Sequence, residues 1–158
     1  MKIYIVEDNP LYSAVLEQNL LSSGFTDVEL FDDGEACLNQ LSNQPEVILL
    51  DYQLGTDKMN GIEIFKEIKR KSQETKVVLL SNQDEVRVAV ESLRLGAFDY
   101  IIKGKYAMDN LLNALHRIRR VKKINDNENQ LKRLKNIFYA GVLGFAVLIL
   151  LTYVFDLR

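Results

Sequence analysis

Cysteine is almost missing from this 158-residue chain, where Cys37 stands alone. A lone thiol cannot close an intrachain disulfide, so a small disulfide scaffold is excluded, and the count fits a reducing compartment. Histidine is equally scarce, with His116 the single copy. It sits among Arg117, Arg119 and Arg120, where a solvated helix face is expected rather than a phosphorelay histidine. No Gly-x-Gly-x-x-Gly follows the first strand candidate and no P-loop occurs, so nucleotide binding is not indicated. Charge is missing altogether from residues 137–155. What remains is ordinary: 27% charged and 47% apolar residues exclude a disordered or collagen-like chain, and the length suits one domain.

The net charge of −2 hides an asymmetry. Residues 1–115 hold 11 Lys+Arg against 19 Asp+Glu, a net −8. Residues 116–136 hold 8 basic and 2 acidic residues, a net +6. The chain therefore reads as an acidic body over 1–120, a basic helical stalk or linker over 121–136, and an apolar tail over 137–155. The tail, IFYAGVLGFAVLILLTYVF, would span roughly 28 Å as a helix, which predicts one transmembrane helix. Lys132, Arg133 and Lys135 before it predict a single-pass inner-membrane protein with the body in the cytoplasm. The basic run 117–123 is expected to face anionic lipid, because no aromatic interleaving or helix-turn-helix pattern marks a nucleic-acid partner.

Within the body, short apolar runs alternate with helix-period segments. Strands are predicted at Lys2–Val6, Asp27–Phe31, Glu46–Leu50, Lys76–Leu80 and Asp99–Ile102. Asn9-Pro10 opens the first helix and Gly24 stops it, with Leu11, Val15, Leu16, Leu20 and Leu21 as its apolar stripe. The second helix is expected to turn Ala36, Cys37, Leu38 and Leu41 inward. The third carries Ile62, Ile64, Phe65 and Ile68, and the fourth Val86, Val90, Leu93 and Leu95. A last helix starts near Tyr106 and turns Met108, Leu111, Leu112, Leu115 and Ile118 inward. Five strands alternating with five helices predict an α/β, doubly wound, five-stranded parallel sheet. Ligands of such sheets bind beyond the carboxyl ends of the strands.

Those ends carry Glu7-Asp8, Asp51, Ser81 and Lys103. Three converging carboxylates repel unless a cation joins them, and an all-oxygen set points to Mg²⁺. A metal, an ammonium and a hydroxyl suit the oxygens of a phosphoryl group, and one carboxylate can then form an acyl phosphate.

This set, in order, spacing and strand context, resembles the response-regulator receiver family of two-component signalling over about residues 1–120. The resemblance implies a flavodoxin-like receiver fold. It implies that Asp51 is the phosphoacceptor and that Ser81 and Tyr100 form the switch. Lys103 is then the family's lysine, and Asp8 and Asp51 ligate Mg²⁺. Glu7 would act through water, and Gln53 through its backbone carbonyl. Partners would be a sensor histidine kinase or phosphotransfer protein and an unknown downstream protein, with a homodimer allowed.

The sequence departs from the family in two places. Gly104 follows Lys103 where the family usually has proline, so a trans peptide is expected. The loop YQLGTDKMNG after Asp51 is about two residues longer than is usual in the family, with Gly61 as its turn glycine. The reading is thus a membrane-anchored, stand-alone receiver that signals by protein contact and acts on no separate substrate. The alternative is a membrane-tethered adaptor that does not use the phosphosite. An aspartyl phosphatase would need an acid where Gln53 stands.

Overall fold

A computed structural model describes the backbone of residues 1–55, 59–82 and 86–156, and the side chains there except at 86, 146 and 148–156. The elements run β1 (Lys2–Val6), α1 (Pro10–Ser22), β2 (Asp27–Phe31), α2 (Gly34–Asn39), a short 3₁₀ turn (Leu41–Asn43) and β3 (Val47–Asp51). They continue with α3 (Gly61–Lys71), β4 (Lys76–Ser81), α4 (Val86–Arg94), β5 (Asp99–Ile102) and α5 (Ala107–Asp156). The strands form one parallel sheet in the order β2-β1-β3-β4-β5, the expected doubly wound arrangement.

Alternation along the strands separates two cores. Ile3, Ile5, Val47, Leu49, Val78 and Leu80 pack on one face with Leu16 and Leu20 of α1 and Leu111 and Leu115 of α5. Tyr4, Val6, Ile48, Leu50, Val77 and Leu79 pack on the other with Cys37 of α2 and Ile64, Phe65 and Ile68 of α3. Both faces are covered, which is why β3 is buried at all five positions and reads as an unbroken apolar run. Each fully buried Leu, Ile or Phe contributes about 1.5–3 kcal/mol.

Two helical stripes differ from expectation. In α1 the sheet takes Ser13, Leu16 and Leu20, while Leu11, Val15 and Leu21 are exposed. The helix carries apolar residues on two sides, and period alone does not say which side docks. Among the described side chains of α4 the buried ones are Val88 and Ser92, while Val90 and Leu93 lie on the opposite, exposed side, Leu95 beyond the helix is exposed too, and the expected Val86 side chain lies outside the described residues. The Ser92 hydroxyl donates to Ala89 O at 2.8 Å, so a polar residue is accommodated inside.

The chain divides into two units, Met1–Ile118 and Arg119–Arg158. In the second unit Val121, Ile124, Leu131 and Leu134 are all exposed. Among the described residues no helix is long and apolar enough to cross a membrane. This corrects the expected transmembrane helix over 137–155, and with it the inner-membrane placement and the lipid partner. The preceding turns of the same helix carry exposed Lys132, Arg133 and Lys135.

Candidate functional site

The sheet register brings the strand ends to one edge: Val6 lies opposite Leu50, Asp51 opposite Leu80, and Ser81 opposite Ile102. Three main-chain bonds extend the sheet past those ends. Glu7 N–H donates to Phe31 O at 3.0 Å, Tyr52 N–H to Leu80 O at 2.8 Å, and Lys103 N–H to Ser81 O at 2.7 Å. The side chains at the edge are therefore fixed by sheet geometry.

Glu7 and Asp51 are each 3% exposed, whereas Asp8 is open to solvent. One carboxylate oxygen from each of the three lies within 4.8 Å of the others. Lys103 reaches in from β5, its Nζ 2.7 Å from Glu7 Oε2 and 2.9 Å from Asp51 Oδ2. One ammonium cannot neutralise three acids. Burial pushes the Glu7 carboxyl above the usual carboxylate range, with Lys103 opposing and the Asp51 charge adding to the rise. Burial by itself would lower Lys103, but its bonds to Glu7 and Asp51 outweigh that and hold it above its ordinary value. An all-oxygen cluster with excess negative charge fits a hard divalent cation such as Mg²⁺.

Loops and helix starts complete the edge. Gln53 N–H donates to Asp51 Oδ1 at 3.3 Å, and Gly55 N–H to Asp8 Oδ2 at 3.0 Å. Asn9 caps α1, its side chain accepting from Leu11 N–H and Tyr12 N–H. Asn60 caps α3 in a capping box with Glu63. Gly61, the expected turn glycine, lies where a Cβ would stand 2.5 Å from Asp51 O and 2.7 Å from Tyr52 Cα, so only glycine lets α3 start this close to β3. Residues 56–58 of the loop expected to be long lie outside the described residues. The described peptide bonds are all trans, including Lys103–Gly104.

An open cleft covers the edge. Its described lining comprises Glu7, Asp8, Asn9, Tyr12, Asp51, Tyr52, Gln53, Leu54, Gly55, Asn60, Asn82 and Lys103. The expected Glu7, Asp8, Asp51, Gln53 and Lys103 are thus brought together. Ser81 is fully buried at the end of β4, and neither it nor Tyr100 is among that lining. Tyr100 is half-buried on β5 opposite Leu79 and packs on the second core. Sequence reasoning missed Tyr12, Asn60 and Asn82. For Tyr12 a signal existed: a cap at Asn9 puts residue 12 in the first turn of a helix that begins beside the acids.

Residues 3–116 match the response regulator receiver domain family. The chain belongs to that family. Regulatory protein AtoC of Escherichia coli (strain K12) is 34% identical over 103 residues, covering 65% of this chain and 22% of AtoC. The alkaline phosphatase synthesis transcriptional regulatory protein PhoP of Bacillus subtilis (strain 168) is 35% identical over 103 residues, covering 65% of this chain and 42% of PhoP. The BeF3-activated receiver domain of DrrB from Thermotoga maritima is 28% identical with a TM-score of 0.66, covering 75% of this chain and 97% of that one. The chain spans well under half the length of AtoC and PhoP. PhoP is named a transcriptional regulator, so the expected lack of a nucleic-acid partner finds no support in these likenesses.

Proposed function

We propose that the chain accepts a phosphoryl group on Asp51 from a sensor histidine kinase or a phosphotransfer protein and signals by contact with a downstream protein. The observation that carries this reading is the buried Asp51 carboxylate, with Lys103 Nζ 2.9 Å from Oδ2 and the Glu7 and Asp8 carboxylates beside it. A carboxylate oxygen of Asp51 attacks the phosphorus of a phosphohistidine. The P–N bond breaks, its electron pair stays on the imidazole, and an acyl phosphate forms on Asp51. Lys103 supplies positive charge to the phosphoryl oxygens, and the Ser81 hydroxyl donates to one of them once the group is in place. Glu7, Asp8, Asp51 and the Gln53 carbonyl would hold Mg²⁺, which when bound supplies further charge neutralisation. Ser81 and Tyr100 would relay the change to the partner surface. The chemistry is confined to gain and loss of its own phosphoryl group, with no separate substrate.

Acetyl phosphate with Mg²⁺ is expected to add one phosphoryl group to the full chain, read by intact mass. Asp51→Asn is expected to abolish the addition. Phosphorylation that persists in Asp51→Asn would overturn the assignment.

A further inference from the structure

The ammonium of Lys103 has a third neighbour besides its two carboxylates. The ring of Tyr12 lies beneath it, with Nζ 4.6 Å from the ring centroid. The Lys103 side chain is 8% exposed, so this contact is largely shielded from water and stronger than a surface one. The Asn9 cap fixes the first turn of α1 and so fixes where the ring sits. Lys103 stands directly after β5 and is followed by Gly104, which brings no side chain or proline ring to hold the chain there.

We infer that Tyr12 is a positioning residue, whose ring face holds the Lys103 ammonium beside Asp51. This rests on Asp51 being the phosphoryl acceptor. Of the two carboxylate partners of Lys103, Asp51 gives up its carboxylate charge in that reaction as it becomes an acyl phosphate, while Glu7 keeps its own. The ring does not change. With Glu7 it keeps the cation in place when the incoming phosphoryl oxygens arrive, so that positive charge is preset rather than recruited. No motif marks Tyr12, and its hydroxyl plays no part in the role.

The test follows phosphorylation of the full chain by acetyl phosphate at saturating Mg²⁺. In that step an Asp51 oxygen attacks phosphorus, the P–O bond to the acetyl group breaks, and acetate leaves with the electron pair. Tyr12→Leu is expected to slow the step about fivefold, and Tyr12→Phe to recover most of the rate. Pentafluorophenylalanine at position 12 keeps the ring shape but drains its face of negative charge, and it is expected to be as slow as Tyr12→Leu. NMR of the unphosphorylated chain supplies a readout independent of turnover. The protons on Lys103 Cε should show an upfield ring-current shift in the wild type and Tyr12→Phe, lost in Tyr12→Leu. Equal rates in the wild type, Tyr12→Leu and the fluorinated variant would overturn the positioning role and leave the acceptor assignment standing. A wild type that takes no phosphoryl group while keeping the ring-current shift would overturn the acceptor assignment, and the role with it.

Discussion

Lys103 lies at the outgoing end of the parallel sheet between the carboxylates of Glu7 and Asp51. Lys69, on α3 at the incoming end, donates instead to the main-chain carbonyls of Thr75 at 2.8 Å and Gln73 at 3.4 Å. The surroundings of the two differ in the same way. At the incoming end Thr75 Oγ1 donates to Pro45 O, Ser72 and Thr75 share a hydroxyl bond, and Glu46 accepts from Lys2 N–H. The hydroxyls and carbonyls satisfy one another there, Glu46 has the N-terminal ammonium beside it at 3.6 Å, and Lys69 clips a loop. At the outgoing end, among the described residues, Lys103 pairs with Glu7 and Asp51 of the three clustered acids, and Asp8 remains open. The same residue type is a structural clasp at one end and a counter-charge at the other. The difference lies in whether its acceptors carry charge.

Removing each lysine should break this comparison most visibly. Lys103→Met leaves buried Glu7 and Asp51 without a cation and is expected to cost about 3–5 kcal/mol in urea unfolding of the metal-free protein. Lys69→Met removes bonds to neutral carbonyls and is expected to cost about 0.5–1.5 kcal/mol. Similar losses from the two would show that charge does not distinguish the ends.

Mg²⁺ sharpens the contrast at the outgoing end alone. At about 100 times its Kd it should stabilise the wild type by about 2.7 kcal/mol, read as a rise in Tm. Asp8→Asn should remove most of that rise, because a carboxylate ligand is lost, while Ser81→Ala should retain it. At the incoming end, Thr75→Val is expected to cost about 0.5–1.5 kcal/mol and to leave the Mg²⁺ response intact.

The finest test is one of sign. Lys69 is held below its ordinary value by burial, and the nearby Lys76 adds to the drop. Its folded state binds fewer protons than the unfolded chain between that lowered value and about 10.4, so its contribution rises with pH across that window. Lys103 is held above its ordinary value, so its contribution is complete below about 10.4 and is lost as pH rises through the raised value. Stability measured against pH in the alkaline range should therefore lose a rising component in Lys69→Met and a falling one in Lys103→Met.

The outgoing end was largely legible in the sequence, because apolar runs that stop at an acid, a serine or a lysine mark where parallel strands end. Order and spacing then carried the family. Less legible were the docking sides of α1 and α4. Leu11 and Val15 follow the same period as Leu16 and Leu20, and only the sheet decides that the second pair goes inside. Buried Ser92 looks like a surface residue until its bond to Ala89 O is seen. Tyr12 escaped because its role comes from a contact spanning 91 positions of chain, which no local pattern encodes. The membrane reading of residues 137–155 rested on apolar length and a basic flank, and the described helix does not bear it out.

The three main-chain bonds that run past the strand ends have a consequence for amide exchange. The N–H groups of Glu7, Tyr52 and Lys103 are rungs of the sheet, although they belong to residues at the rim of an open cleft. Their release requires a strand pair, β1–β2, β3–β4 or β4–β5, to part rather than a loop alone to move. They should accordingly be among the slowest amides in the protein to take up deuterium, on the time scale of global unfolding. The reactive edge of the sheet is thereby held by the same kind of rungs as its interior.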